Sequence, residues 1–160
     1  MIILSLDSGI EKTGWAIMSL VNDTSKLMDY GLISTSKKDS LPKRLFEIGE
    51  QIDEILTRHP IEIAVLEQLF FNTNVTTGIQ VAQAQGVVIS RIEKNKISTN
   101  FVTPLFVKQT ITGYGRADKK QVLTMVKLLL RGVTLPTQDD IIDAIAVGLA
   151  FSRIVKYKQL

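Results

Sequence analysis

The chain of 160 residues contains no cysteine. Disulfides, thiolate-bound zinc and cysteine nucleophiles are thereby excluded together. Histidine is almost as scarce, with His59 alone, so zinc held by imidazoles is nearly excluded too. No apolar stretch reaches the roughly 18 uninterrupted residues that a membrane span needs. The N-terminal run Ile2-Ile3-Leu4-Ser5-Leu6 has no basic stretch ahead of it and meets an acid, Asp7, where a signal peptide would stay apolar. The expectation is a cytoplasmic protein with no membrane partner. Internal repeats, low-complexity tracts and interdomain linkers are also missing, which predicts one domain over residues 1–160.

What is present is ordinary globular composition, 45% hydrophobic and 22% charged, which argues against disorder. A chain of this length fills one core and is short for two. Net charge is +3, and with four acids set aside for the site proposed below, 19 basic residues face 12 acidic ones. That balance suits a polyanionic partner.

Apolar patterning predicts strands at 2–6, 14–19 and 27–34, the last two joined by the turn-forming segment Asn22-Asp23-Thr24-Ser25. Leu45, Ile48, Ile52, Ile55 and Leu56 recur at helical spacing between Pro42 and His59-Pro60. A strand follows at 61–66, then a helix at 75–94, a strand at 98–102 and a short helix at 104–112 opened by Pro104. Gly113-Tyr114-Gly115 reads as a flexible break, and two helices close the chain at about 118–131 and 138–155. This order predicts an α/β domain with a mixed five-stranded sheet flanked by helices.

The segment Asp140-Ile141-Ile142-Asp143-Ala144-Ile145-Ala146-Val147 poses the sharpest chemical question. A helix apolar nearly all round is buried, and a buried carboxylate needs a cation, a strong hydrogen bond or a proton. Asp140 and Asp143 stand three residues apart, on one helical face. Asp7 and Glu67 each follow an apolar strand at its C-terminal end, where functional residues collect in open α/β sheets. Oxygen donors without sulfur or matched histidines favour hard cations, Mg²⁺ or Mn²⁺. Two such ions suit phosphodiester hydrolysis. Taken singly, each acid has a plainer reading. Thr137-Gln138-Asp139-Asp140 fits a capping box, Asp143 fits a buried salt bridge, Glu67 fits a surface position and Asp7-Ser8-Gly9 fits a turn.

Ordered blocks along the chain decide among these readings: Leu6-Asp7-Ser8-Gly9, Thr13-Gly14-Trp15-Ala16, Leu66-Glu67-Gln68-Leu69-Phe70, Ala82-Gln83-Ala84-Gln85-Gly86-Val87, Val107-Lys108-Gln109-Thr110-Ile111-Thr112-Gly113, Asp118-Lys119-Lys120-Gln121-Val122 and Asp140-Ile141-Ile142-Asp143-Ala144-Ile145-Ala146. Together they resemble the RuvC-type Holliday junction resolvases, members of the ribonuclease H-like superfamily. The resemblance implies that Asp7, Glu67, Asp140 and Asp143 bind two catalytic Mg²⁺ ions, with Asp7 shared and Mn²⁺ a possible substitute. It implies paired symmetric nicks in a four-way junction, leaving 5′-phosphate and 3′-hydroxyl ends, and a RuvAB-type branch-migration complex as partner. It places Lys108 and Lys119 near DNA phosphates and Phe70 beside the site, stacking on or wedging apart bases. Ser8 departs from the proline that members commonly carry.

Arg116 and Lys120 add to the basic region around Lys108 and Lys119, while Lys127 and Arg131 read as a solvated helix face. The helix at 75–94 is apolar or small on two faces: Val75, Ile79, Ala82, Gly86 and Ile89 on one, Val81, Ala84, Val88 and Ile92 on the other. A homodimer uses the spare face and presents two sites to a two-fold substrate. Three rivals share parts of this pattern. Another ribonuclease H-like nuclease would act on a hybrid or single strand. An actin-like nucleotide-binding domain is similar in Asp7-Ser8-Gly9 with Thr13-Gly14, yet needs two lobes. A junction-binding module without catalysis leaves four intact acids unexplained.

Overall fold

The computed structural model describes residues 1–69 and 75–158. Strands β1 (Ile2–Asp7), β2 (Lys12–Val21) and β3 (Thr24–Ser34) form an antiparallel meander. Asn22 and Asp23 both take positive φ, 46° and 61°, as the two-residue turn that matches strand twist requires. The expected four-residue turn is therefore tighter, and Thr24 and Ser25 pair with Val21 and Leu20.

β4 (Ile63–Glu67) lies parallel to β1 and β5 (Ser98–Val102) parallel to β4, giving the order β3-β2-β1-β4-β5. Parallel neighbours need crossovers, which α1 (Leu41–Arg58) and α2 (Val75–Lys94) supply. Both pack on one face of the sheet: Ile48, Ile52 and Ile55 of α1 and Ala84, Val88 and Ile92 of α2 meet Leu4, Leu6, Trp15, Ile17, Ala64 and Leu66. Helices α3 (Pro104–Thr112), α4 (Lys119–Leu129) and α5 (Asp139–Lys158) cover the opposite face, against Ile3, Ala16, Met18 and Val65. The period-two alternation of strand side chains thus feeds two cores. The expected mixed five-stranded sheet flanked by helices is what forms.

From Ile141 to Ser152 every residue of α5 is buried except Asp143. Its approach to the sheet depends on glycine. Gly148 lies where an added Cβ would sit 2.6 Å from the Ser5 hydroxyl. At Gly14 a Cβ would overlap the Asp140 carbonyl, so the first turn of α5 rests directly on β2 beside Asp7, the strand partner of Gly14.

The segment read as a flexible break is instead a bonded turn. Gly113 is a left-handed C-cap of α3 at φ 79°, donating its amide to Gln109. The Thr112 hydroxyl accepts from the Tyr114 amide at 3.0 Å, and its proton is shared between the Lys108 carbonyl at 2.8 Å and the Tyr114 carbonyl at 3.0 Å. α4 then opens on a full capping box between Asp118 and Gln121.

Candidate metal and nucleic-acid site

Asp7 ends β1 and Glu67 ends β4, and these strands are in register at Leu6 and Leu66. Leu6 and Leu66 face α1 and α2. Alternation therefore turns both acids to the other face, where α5 begins with Asp140 and Asp143. Three elements converge on one end of the sheet.

Electrostatics shows how closely. Burial, then the charges of Glu67, Asp143 and Asp140, push the Asp7 carboxyl up from 3.8 to about 7, with Lys119 opposing. Burial and the Asp143 charge raise Glu67, against Lys108 and Lys119. Burial raises Asp143 as well, with Lys119 pulling the other way. Partial burial works against the Lys119 ammonium, but Asp143, Asp139 and Asp7 outweigh it and hold it above its usual range. Its Nζ donates to Asp143 Oδ2 at 3.2 Å and stands 3.7 Å from Asp139. The carboxylates of Asp7, Glu67 and Asp140 make no hydrogen bond among the described residues, so the capping-box reading of Asp140 does not apply. The Ile142 amide donates to the Gln138 carbonyl as the ordinary backbone bond at the start of α5.

An oxygen-only donor set carrying excess negative charge, with one member pushed to neutrality, fits a hard divalent cation. Among the described residues no three such groups are already closed around one point. Lys119, bonded to Asp143, sets a positive charge against these acids.

The predicted basic residues divide. Lys108 and Lys119 act on Glu67 directly. Lys120 is exposed on the first turn of α4 and lines one groove with Lys119, Asp139 and Asp143. Arg116 is exposed in the α3–α4 loop. Lys127 and Arg131 are exposed, as a solvated face requires. Phe70 lies outside the described residues.

Several supporting residues escaped the sequence reading. Gln85, buried on α2, donates to the Glu67 carbonyl at 2.9 Å. A polar residue on a face of small and apolar side chains was the available signal. The loop after Asp7 is held by three successive carbonyls. Thr13 Oγ1 donates to Gly9 at 2.7 Å, Thr35 Oγ1 to Ile10 at 2.6 Å and the Thr35 amide to Glu11 at 3.0 Å. Buried Arg44 backs Thr35 through Nε at 2.9 Å. Nothing local in the sequence announces that brace. The Ser8 hydroxyl is buried without a partner among the described residues.

Comparison with known proteins adds the decisive observation. Residues 3–151 match the family model described as crossover junction endodeoxyribonuclease RuvC. The chain belongs to that family. Among RuvC relatives, that of Petrotoga mobilis is 42% identical over 92% of this chain and 91% of its own. That of Alkaliphilus metalliredigens is 40% identical over 100% and 98%. Among solved structures, T. thermophilus RuvC in complex with Holliday junction substrate superposes with a TM-score of 0.91 at 24% identity, covering 99% of this chain and 96% of that one. The yeast mitochondrial Holliday junction resolvase gives 0.69 at 12% identity, over 94% and 77%. These structures establish the RuvC fold, which is ribonuclease H-like.

Proposed function

We propose that the chain is a structure-specific endodeoxyribonuclease that resolves Holliday junctions in homologous recombination and DNA repair. It cuts by paired symmetric nicks that leave 5′-phosphate and 3′-hydroxyl ends. The observation that carries this reading is the convergence of Asp7, Glu67, Asp140 and Asp143, three of them spent on no hydrogen bond among the described residues. They would hold divalent cations, Mg²⁺ or in its place Mn²⁺, two per site with Asp7 shared. Bound there, such ions supply an activated water and counter-charge for the leaving oxygen.

The chain's own residues orient and neutralise. The Thr13, Thr35 and Arg44 brace fixes the loop that follows Asp7, and Gln85 fixes the end of β4 that carries Glu67. Lys108 and Lys119 meet the scissile strand, and Arg116 and Lys120 meet phosphates farther along it, giving salt-sensitive binding without reading sequence. Phe70, by family resemblance, stacks on bases at the branch point.

Ile79, 54% exposed on α2, and Gly86, open to solvent, lie on the helix face that the core leaves unused. A homodimer through this face presents two sites to a two-fold junction. A RuvAB-type motor and a cytoplasmic setting accompany that role. Among the described residues no helix is long and apolar enough to cross a membrane.

The test incubates the protein with a mobile four-way junction and with linear duplex, with and without Mg²⁺, and maps the incisions. Symmetric nicks confined to the junction and to the metal-containing reaction are expected. Equal cutting of linear duplex would overturn the reading.

A further inference from the structure

Tyr114 has no part in the site described above, yet the chain displays it with care. The residue is 57% exposed, although tyrosine is a residue of intermediate burial. Its backbone is nonetheless fixed at both polar groups. The amide donates to Thr112 Oγ1, and the carbonyl accepts from the Ala117 amide at 3.0 Å. The loop lies close on α3, because a Cβ at Gly115 would sit 2.6 Å from Leu105 Cδ1. Capping elements lock both ends, the left-handed Gly113 before and the Asp118–Gln121 box after. A rigid loop holds an aromatic ring out in water.

Its surroundings are cationic and connected to the acids. Arg116, Lys119 and Lys120 follow within six residues, and Lys108 lies one and a half turns before on α3. Lys119 lies five positions after Tyr114, a span of at most ~18 Å even fully extended. Lys120 lines two grooves on either side of the first turn of α4, one with Asp139 and Asp143, the other with Tyr114, Ala117 and Gln121. The Gln121 Oε1 is taken by the Asp118 amide, which leaves its NH₂ free to donate. An exposed ring, positive charge and an amide donor along one path fit a polynucleotide strand whose bases are not fully stacked.

We propose that Tyr114 is a stacking platform for a nucleobase of the DNA strand that leaves the catalytic acids along Lys119 and Lys120. The proposal rests on the nuclease reading above and adds an aromatic contact on the α3–α4 side of the site. Stacking draws on the π-face common to all bases, so the contact tolerates any sequence. Such a contact serves a junction better than a closed duplex, because bases at a branch point are the ones available.

The experiment titrates the full chain, in EDTA to prevent cutting, against two probes carrying 2-aminopurine, a four-way junction labelled at positions flanking the branch and a single-stranded oligonucleotide, and against a linear duplex for comparison. Wild type, Tyr114→Phe, Tyr114→Leu and Lys120→Ala are compared, with circular dichroism and melting temperature confirming that each is folded. Tyr114→Phe keeps the ring and is expected to match wild type in affinity and in quenching. Tyr114→Leu is expected to weaken binding of both probes by roughly 5- to 150-fold, the range of base–aromatic stacking, and to lose the quench. Its plot of log affinity against log salt should keep the wild-type slope, whereas Lys120→Ala should lose about one unit of slope. Wild-type affinity and quenching in Tyr114→Leu would overturn the platform and leave the nuclease reading intact. Junction affinity in wild type no higher than for linear duplex would instead count against the junction reading, while the single-stranded probe still decides the role of Tyr114.

Discussion

A carboxyl group held near neutrality, as Asp7 is, takes up protons and cations in competition. Unfolded, Asp7 titrates near 3.8; folded, near 7. Between those values the metal-free native chain holds a proton that the unfolded chain has released. Stability is therefore greatest on the acid side of this window and declines as pH rises through about 7, by at most about 1.4 kcal/mol per pH unit from this group. Glu67 and Asp143, also raised, act with the same sign. Melting of the metal-free protein from pH 5 to 8 should show a falling midpoint that a divalent ion restores. Asp7→Asn should flatten that slope and melt higher than wild type at pH 8. The same substitution should lower junction nicking by about 10³-fold or more in single-turnover assays, since a group that acts with others is lost as a unit. Junction binding should survive, because the lost charge repels phosphate. Wild-type nicking by Asp7→Asn would remove that residue from the reaction.

Elements, rather than isolated side chains, bring the acids together, and α5 bears most of the task. Its first turn rests on Gly14 of β2 with no room for a methyl group. Gly14→Ala should cost about 1–3 kcal/mol, as overpacking does, and should depress nicking more than DNA binding by displacing Asp140 and Asp143. Denaturant melts paired with nicking rates check both halves. Undiminished nicking in a destabilised Gly14→Ala would separate the helix position from catalysis. Much of this element-level picture was legible beforehand. The apolar run around Asp143 marked a buried helix with a misplaced charge, and the strand-end positions of Asp7 and Glu67 followed from their apolar runs. Illegible were the contacts that only tertiary structure creates. The Lys119–Asp143 bond joins residues 24 apart, and the Thr35–Ile10 bond joins residues 25 apart. The tight turn at Asn22-Asp23 was missed for a different reason: its length depends on two left-handed backbone angles imposed by strand twist. Asn and Asp tolerate those angles without advertising them.

For the molecule as a whole, the proposed symmetric pair of cuts depends on two copies meeting. The spare face of α2 has a place, at Gly86, where nothing lies within contact range of an added Cβ. Gly86→Glu should leave the monomer's melting temperature nearly unchanged, because surface substitutions away from special features shift stability by about 0.5 kcal/mol or less. It should shift sedimentation toward the monomer and convert coordinated double nicks into single ones. A dimer that persists, with paired nicks intact, would move the interface elsewhere. A last consequence follows from the burial of α5 between Ile141 and Ser152. The helix that delivers two of the acids is also a principal component of one core, so it cannot loosen while the rest of the fold stays sound. A heat-damaged or misassembled copy would lose its cutting ability together with its shape.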